Sequence, residues 1–293
     1  FALPLNGAGA TFPYPIYSKW TSEYNKQTGV NVNYQGIGSG GGIRQFTAGV
    51  VDFGASDAPM TVFEVDKAGG DVLHIPTVTG AVAVSYNLSG VKNLKLDGNT
   101  LASIFSGKIK SWDDADIANL NPGISLPGKS ILVAHRSDGS GTTHIFTGYL
   151  AKVSTAWASE MGAGKSLKWP AGVGGKGNSG VAGIINTNEG SIGYVELSYA
   201  MTNSLPTVAL KNRSGNFVEP TLAATIKAVD GMSDRIPPSF TADLNNAPGA
   251  GSYPIVGMTW LLVHKNQNNA EKGKALVDFL SWSMKEGQTY AES

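Results

Sequence analysis

Residues 134–144, AHRSDGSGTTH, place a glycine-rich turn between a short apolar run and an amphipathic stretch. The apolar run, residues 131–133 (Ile-Leu-Val), predicts a strand. After the turn, apolar residues recur at i, i+3, i+4 and i+7, which predicts a helix with one apolar face. They are Phe146, Tyr149, Leu150 and Val153. A strand that leads through such a turn into a helix is the building unit of α/β proteins, and this segment therefore constrains the fold class.

The side chains of this turn are suited to holding an oxyanion. Gly139 and Gly141 let backbone N–H groups come close to a small guest. The first N–H groups of a helix have no intrahelical partner and lie at its positive end, where an anion fits. Ser140 and Thr142 are residue types that often occupy the N-cap of a helix, and each also supplies a hydroxyl group. Arg136 supplies a planar, positively charged guanidinium group that can bind two oxygens of one anion. The segment alone leaves a second interpretation open, a capped helix with Arg136 in solvent.

Composition and charge exclude several classes of protein. The length of 293 residues suggests two domains of roughly 150 residues each. Because 22 basic residues balance 22 acidic ones, the chain has no long-range field for a polyanion, so no nucleic-acid partner is predicted. No apolar run reaches the length of about 18 residues that a transmembrane helix needs. The chain contains no cysteine, which excludes disulfides, thiolate chemistry and cysteine-based metal sites.

Two earlier segments repeat the design of a small-residue turn, a hydroxyl and a helix start. Residues 6–15 (NGAGATFPYP) place Thr11 before a helical pattern, and residues 36–44 (GIGSGGGIR) place Ser39 to cap a helix. A short strand predicted over residues 51–57 ends at Asp57. Alternating strands and helices indicate an α/β fold, whose ligands bind beyond the carboxyl ends of the strands. Three convergent helix starts and one arginine favour an oxyanion site over a merely capped helix.

Further elements follow from apolar patterns elsewhere in the chain. Strands are predicted within residues 75–88, 191–199 and 260–263, and helices within residues 100–105, 222–229 and 270–284. The glycine-rich residues 167–180, which end in GGKGNSG, predict a loop that precedes a helix at residues 181–185.

Other functions have weaker support. The glycines within residues 36–41 match the spacing of a dinucleotide-binding turn, and Asp57 stands near the position of its ribose-binding acid. Ser140 lies between glycines with His144 four residues on, which keeps nucleophilic catalysis open. The four histidines show no close ligand pairing, so no metal site and no cofactor are predicted.

With these motifs in view, the chain resembles the periplasmic phosphate-binding proteins of ABC-type phosphate importers, the phosphate-specific-transport system. The resemblance covers essentially the whole chain. It is carried by GAGATFP at 7–13, YQGIGSGGGIRQ at 34–45, VDFGASDAPM at 51–60, GKIKSWDD at 107–114, RSDGSGTT at 136–143, GGKGNSG at 174–180 and SIGYVE at 191–196. It implies an α/β, type II-like periplasmic-binding-protein fold, in which two lobes, each a mixed sheet flanked by helices, are joined by two crossing strands. By analogy the crossings fall at residues 81–88 and 259–264. Lobe I then comprises residues 1–85 and 262–293, and lobe II residues 86–261.

The resemblance also implies a set of phosphate ligands in the cleft between the lobes. They are Thr11, Phe12 through its backbone N–H, Ser39, Asp57, Arg136, Ser140, Gly141 and Thr142. Asp138 matches an aspartate that orients the arginine. The implied partners are inorganic phosphate and the membrane permease subunits of the importer, with the protein acting as a monomer and not as an enzyme. The start at Phe1 without methionine is what an exported, periplasmic protein shows after its signal peptide has been removed, although a cloning choice would look the same. Family members run on past the position of Ser293, which is a departure of this chain.

Asp57 is expected to set the selectivity of such a site. Phosphate near neutral pH still carries a proton, and a carboxylate can accept a hydrogen bond from that P–OH. Sulfate has no proton to offer and would face an unpaired, partly buried charge. Two alternatives stay open at this point: a receptor for another tetrahedral oxyanion (sulfate, molybdate or arsenate) and a phosphatase that uses the same oxyanion site.

Overall fold

The computed structural model describes residues 3–291. Phe1 and Ser293, on which the expectations about the two chain ends rest, lie outside these residues. The fold is α/β, as predicted, and two-lobed. The first elements are β1 (Leu5–Gly9), α1 (Tyr14–Thr28), β2 (Val32–Gly36), α2 (Ser39–Thr47), β3 (Phe53–Ser56), α3 (Val62–Lys67) and β4 (Val72–Asn87). No helix among residues 3–291 has both the length and the hydropathy needed to cross a membrane.

The second half of the chain continues the alternation of strands and helices. Its elements are β5 (Lys95–Leu96), α4 (Gly98–Phe105), α5 (Ala115–Leu120), β6 (Leu132–Arg136), α6 (Gly141–Val153), α7 (Thr155–Glu160), β7 (Val173–Gly175), α8 (Gly177–Thr187), β8 (Ser191–Glu196), α9 (Leu197–Thr202), β9 (Ala209–Lys211), β10 (Phe217–Val218), α10 (Leu222–Asp230), β11 (Val256–His264) and α11 (Ala270–Met284). Short 3₁₀ turns occupy Ser233–Arg235 and Glu286–Tyr290.

One mixed sheet of eight strands, in the order β2-β1-β3-β11-β4-β8-β6-β7, runs through both lobes. In one half, β1 pairs in parallel with β2 and β3, and β11 lies antiparallel to β3. In the other half, β6 pairs in parallel with β7 and β8. A separate small sheet has the order β10-β9-β5. Since parallel strands end at the same sheet edge, this topology brings loops from distant parts of the sequence together.

The strands β4 and β11 join the two lobes. Over its first part β4 pairs antiparallel with β11, from Val72 opposite His264 to Ala81 opposite Val256. From Val82 onward its partner is β8, with Val82 opposite Glu196. The predicted crossings at residues 81–88 and 259–264 are therefore strands, and both begin earlier in the chain than the sequence indicated.

Helices cover both faces of the sheet in each lobe. In the first lobe α1 and α11 pack on one face around Trp20, Phe53 and Phe279, while α2 packs on the other with Phe46 against Leu262. The second lobe has a larger core, and α8 closes its opposite face. The largest fully buried side chains are those of tryptophan, tyrosine and phenylalanine, and each buries a large area in the two cores.

The prediction of a loop over residues 167–180 holds for residues 167–172, which belong to no helix or strand, and is wrong from Val173 onward. Val173–Gly175 forms β7 beside β6, and α8 begins at Gly177. These residues show no apolar periodicity because backbone pairing, not side-chain burial, holds them. A Cβ on Gly175 would come within 2.6 Å of the backbone of Gly180, so the close approach of strand and helix requires glycine. The strand predicted over residues 191–199 also ends earlier, at Glu196, where α9 follows.

Candidate functional site

The residues predicted to bind an oxyanion come together where the strands β1, β3 and β6 end. Thr11 and Phe12 follow β1, Asp57 follows β3, and Arg136 is the last residue of β6. Ser39 opens α2, and Ser140, Gly141 and Thr142 form the start of α6. All of them are buried. The cluster lies at the carboxyl ends of strands from both lobes, which is where α/β sheets place their ligands.

Arg136 is held by Asp138 through two parallel hydrogen bonds. Its Nε donates to Oδ1 at 2.7 Å and its Nη2 to Oδ2 at 2.6 Å. Asp138 also accepts the N–H of Gly177 at 3.1 Å. Burial would raise the pKa of Asp138, but the hydrogen bonds and charge of Arg136 outweigh it, and this pKa lies below its ordinary value. The carboxylate therefore occupies the edge of the guanidinium formed by Nε and Nη2. Nη1 is not bonded to it and lies 3.5 Å from the Thr142 hydroxyl.

The start of α6 has the geometry of a capped helix with donors left over. Ser140 is the N-cap, and its hydroxyl accepts the N–H of Thr143 at 2.9 Å. The N–H groups of Gly141 and Thr142 belong to the first turn, where a helix offers them no acceptor. A Cβ on Gly141 would lie only 2.5 Å from Oδ2 of Asp57 and would also collide with the Ser39 hydroxyl. Glycine at this position therefore lets the other lobe approach the helix start.

Ser39 does not cap α2, and that prediction is wrong. Gly38 holds the cap position with a positive φ of 83°, and Ser39 is the first helical residue. The Ser39 hydroxyl instead accepts the backbone N–H of Asp57 at 3.1 Å and donates to Oδ2 of Asp57 at 3.4 Å. The Gly40 N–H, a first-turn donor, bonds the carbonyl of Gly139 in the other lobe at 2.9 Å. The helix start is thus satisfied partly across the cleft, which the local sequence does not reveal.

Asp57 is the electrostatically unusual residue of the cluster. It is 2% exposed. Burial raises its pKa to about 7, against the opposing effects of the Thr259 and Ser39 hydroxyls and the charge of Arg136. Its Oδ1 is buried and has no hydrogen-bond partner within residues 3–291. An acceptor of this kind, next to several donors, fits a guest that carries a proton of its own.

Asn178, which the sequence analysis missed, lies at the centre of the contact between the lobes. It is the second residue of α8, and none of its surface is exposed. Its Nδ2 donates to the hydroxyls of Thr11 at 2.8 Å and Thr142 at 3.1 Å. The sequence signal for Asn178 is the GGKGNSG motif at residues 174–180, which is one more glycine-rich turn before a helix. The sequence analysis predicts this helix from residue 181, whereas α8 begins at Gly177.

Contacts around the cluster bring the two lobes against each other. A Cβ on Gly38 would collide with the carboxylate of Asp138. Gly40 packs against the backbone of Gly139. Further out, Lys165 and Glu64 form an ion pair between the lobes at 2.7 Å. This close approach explains the glycines within residues 36–42. In the dinucleotide-binding interpretation of the same glycines Asp57 would bind an exposed ribose, and it is too buried to do so.

Three of the four histidines have structural roles in this fold. His264 stacks on Phe46 with 4.2 Å between ring centroids, and His135 stacks on Trp169 at 4.9 Å. His74 accepts the N–H of Met60 through Nε2 at 3.0 Å. Within residues 3–291 no group of three or more histidine, aspartate or glutamate side chains is placed to hold a metal ion.

Comparisons with known proteins point to one family. A family model described as the PBP superfamily domain matches residues 2–286. The phosphate-binding protein PstS of Pasteurella multocida is 47% identical over 292 residues, 99% of this chain and 84% of that protein. The phosphate-binding protein PstS of Methanocaldococcus jannaschii is 44% identical over 97% of this chain and 79% of that protein.

Solved structures agree in fold with this chain. A putative phosphate ABC transporter substrate-binding protein from Clostridium perfringens, with bound phosphate, is 21% identical with a TM-score of 0.70, covering 98% of this chain and 96% of that one. A high affinity periplasmic phosphate-binding protein (PfluDING), bound with phosphate, is 24% identical with a TM-score of 0.73, covering 94% of this chain and 84% of that one.

Proposed function

This chain belongs to the PBP superfamily and, within it, to the phosphate-binding proteins named PstS, and from that membership we propose that it binds inorganic phosphate between its lobes and delivers it to an ABC-type importer. The observation that carries the proposal is the pairing of one buried, unpartnered acceptor with a set of donors. The acceptor is Oδ1 of Asp57. The donors are the guanidinium of Arg136 and the first-turn N–H groups of α6.

This arrangement matches hydrogen phosphate better than other oxyanions. Three oxygens of the dianion are acceptors and suit the donors, and its P–OH can donate to Asp57. Above the pKa of Asp57, about 7, sulfate would leave this carboxylate unpaired in a buried site, at a cost of several kcal/mol. Arsenate has protonation like that of phosphate, and we expect this site to reject it much less well.

The ligand residues proposed from the resemblance are Thr11, Phe12, Ser39 and Asp57 on one side of the cleft and Arg136, Ser140, Gly141 and Thr142 on the other. Because the two groups lie in different lobes, an anion that touches both favours the closed arrangement over an open one. Hydrogen bonds to a charged group contribute roughly 1.5–3 kcal/mol each, but dehydration of the anion and ordering of the lobes offset much of the sum. Micromolar or tighter binding, about −8 kcal/mol or beyond, is the expected affinity.

The protein is proposed to act outside the cytoplasm as a monomeric receptor without catalytic chemistry. Relatives with the name phosphate-binding protein support transport, and the periplasmic location given for PfluDING supports export. Ser140, the serine considered as a nucleophile, uses its hydroxyl as a helix cap. Incubation with an aryl phosphate, with and without divalent metals, tests this part: release of the aryl alcohol would make the protein a phosphatase.

The decisive experiment is calorimetric titration of phosphate-free protein with phosphate, sulfate and arsenate. We expect micromolar or tighter binding of phosphate, weaker binding of arsenate and little heat from sulfate. Phosphate should also raise the melting temperature, since it binds the native state alone, and reduce the radius of gyration in solution scattering. A protein that binds sulfate as well as phosphate would be a general oxyanion receptor, and one that binds neither would refute the proposal.

A further inference from the structure

We propose that Asn178 is a positioning residue that turns the hydroxyl protons of Thr11 and Thr142 toward the bound anion. The inference rests on the proposed phosphate binding. It concerns a residue outside the ligand set suggested by the resemblance, and it follows from counting donors and acceptors around one buried amide.

The orientation of the Asn178 amide is determined by the main chain. Its Oδ1 accepts the backbone N–H of Glu196 at 2.8 Å. If the amide were flipped, its NH₂ group would face this N–H, and two donors would meet in a buried site. The NH₂ group must therefore point to the opposite side, where its two protons lie against the two threonine hydroxyls.

Thr11 receives two donors from the same residue. The backbone N–H of Asn178 donates to its Oγ1 at 3.1 Å, and Nδ2 of Asn178 donates to the same oxygen at 2.8 Å. A hydroxyl oxygen has two lone pairs and one proton. With both lone pairs occupied, the only hydrogen bond that Thr11 can still make is one in which it donates, in a direction away from Asn178.

Thr142 is in the same position from the other lobe. Its Oγ1 accepts from Nδ2 of Asn178 at 3.1 Å and lies 3.5 Å from Nη1 of Arg136. Neither of these nitrogen groups can accept a proton. The Thr142 hydroxyl is thus also limited to donating, and the NH₂ group of Asn178 bridges one hydroxyl from each lobe.

The consequence is a division of roles within the site. A free hydroxyl can rotate and act as donor or acceptor, but in the closed arrangement these two are fixed as donors. Neither threonine can then accept the P–OH proton, which is directed to Asp57. Thr142 lies in the same lobe as Asn178, so its hydroxyl can be fixed as a donor before the lobes close, which removes a reorganisation cost from binding.

The test compares two substitutions at Asn178 that differ in shape and in donors. Asn178→Asp keeps the shape but replaces the NH₂ group by an acceptor, which draws both hydroxyl protons away from the anion. Asn178→Ala removes the side chain and frees the hydroxyls to rotate. Titration with phosphate should show a loss of at least about tenfold for Asn178→Ala and a larger loss for Asn178→Asp. If Asn178 contributed to binding only through its shape, the Asn178→Asp variant would bind phosphate more tightly than Asn178→Ala. That result would overturn the proposal.

A double-mutant cycle separates positioning from general destabilisation. In a Thr11→Val, Thr142→Val background, Asn178→Ala should cost less than about twofold, because the hydroxyls through which it acts are gone. Equal losses in both backgrounds would contradict the inference. Asn121→Ala is the matched control, since Asn121 is also buried in the second lobe and bonds Lys95 and Ile117 away from the site. It should retain wild-type affinity.

Neutron diffraction from the wild-type protein with phosphate gives a test that needs no variant. The deuterium on each threonine hydroxyl should point to a phosphate oxygen, with the deuterated amide of Asn178 facing both hydroxyls. Hydroxyl deuterium directed at Oδ1 of Asn178 would refute the proposal. Failure of the wild type to bind phosphate would remove the proposed function and this inference together, whereas normal wild-type binding with unaffected Asn178 variants would remove the inference alone.

Discussion

The two walls of the cleft differ in how they are built and in charge. In the second lobe one continuous stretch, residues 136–142, supplies the guanidinium, a capped helix start and hydroxyls. In the first lobe Thr11, Ser39 and Asp57 come from three separate strand ends, and their only ionisable side chain is acidic. The second lobe therefore offers attraction for any small oxyanion, and the first lobe offers the feature that distinguishes among them.

This difference separates affinity from selectivity. A cation and helix N–H groups stabilise negative charge whatever the anion. A buried acceptor such as Asp57 stabilises only a guest that can donate to it, and it penalises every other one. Substitutions in the two walls should therefore change different quantities, and this can be measured.

The largest effect is expected from Arg136→Ala in the second lobe. It removes the cation and also leaves the Asp138 carboxylate without the partner that it contacts at 2.6 Å. The guanidinium and the anion would form a buried charge pair, and truncating one partner of such a pair costs about 3–4 kcal/mol of binding, a fall in phosphate affinity of roughly 100- to 1,000-fold. Titration calorimetry measures the loss, and the ratio of phosphate to arsenate affinity should stay near that of the wild type.

Lysines outside the site provide the control for this prediction. Lys108 pairs with Glu160 at 2.9 Å on the surface, with about half of each side chain exposed. Lys108→Ala and Lys110→Ala should change phosphate affinity by less than about twofold, because exposed charges in water contribute little. Equal losses in all three variants would mean that diffuse charge, not the guanidinium fork, holds the anion.

The next largest effect belongs to Asp57→Asn in the first lobe. The wild type should prefer phosphate over sulfate by about a thousandfold, roughly 4 kcal/mol. An amide can donate to sulfate, so the substitution should narrow this preference by a factor of roughly 100, about 3 kcal/mol. Competition of labelled phosphate by excess sulfate measures the ratio. Efficient displacement from the wild type, or an unchanged ratio in the variant, would remove Asp57 from its proposed role.

The same acid should make folding stability depend on pH when phosphate is absent. Because burial raises the pKa of Asp57 to about 7, the native state binds the proton more tightly than the unfolded chain does. The stabilisation is complete below the unfolded pKa, near 4, and is lost as the pH rises through 7. The full shift corresponds to about 4 kcal/mol, and local hydration should reduce this to roughly 2 kcal/mol.

Denaturant unfolding in phosphate-free buffer between about pH 4 and pH 8 measures this loss, with Asp57→Asn as the reference that cannot titrate. The two proteins should be equally stable at the acid end, and the variant should be the more stable one at neutral pH. Burial also raises the pKa of Glu196, to about 7; this group is present in both proteins, and only in the wild type does the charge of Asp57 add to its shift. If the free energies of unfolding of the two proteins changed with pH in parallel, Asp57 would be ionised in the native state over the whole pH range.

The contrast between the walls also explains what could be predicted from the sequence. Residues 136–142 are local: a strand, a turn and a capped helix are each visible in the residue pattern, and α6 starts where the pattern indicates. The first-lobe residues lie near one another only because β1 pairs with both β2 and β3. Periodicity cannot reveal that pairing, and the resemblance to a known family supplied it.

The contribution of Asn178 could not be predicted because its partners lie far away in the sequence. Thr11 is separated from it by 167 residues, and Thr142 by 36. Its segment has no apolar period, since glycines place β7 and α8 through backbone contact. For the same reason the sequence predicts Ser39 as a helix cap, whereas the acceptor for the neighbouring Gly40 N–H belongs to the other lobe. Contacts across the cleft are the part of the site that local sequence leaves undetermined.

The smallest effect should come from the ion pair at the edge of the cleft, where the two walls meet. Lys165 and Glu64 lie 2.7 Å apart with side chains 22% and 25% exposed, so each keeps some contact with water. The pair joins one lobe to the other and therefore favours the closed arrangement. Lys165→Ala should weaken phosphate binding only by a factor of roughly two to five, because partly exposed pairs contribute about 0.5–1 kcal/mol.

Salt dependence distinguishes this edge contact from the buried walls. Glu64→Gln is the matched variant: an amide oxygen can still accept the N–H of Thr61, as Glu64 does at 2.8 Å, so the start of α3 is preserved while the charge is lost. Both variants should differ from the wild type at about 0.02 M salt and approach it at about 0.5 M, because salt weakens ion pairs that keep contact with water. Arg136→Ala, which removes a desolvated contact, should lose affinity at both salt concentrations. A loss for Lys165→Ala that is equally insensitive to salt would place this ion pair within the binding site and would weaken the distinction between the cleft's edge and its walls.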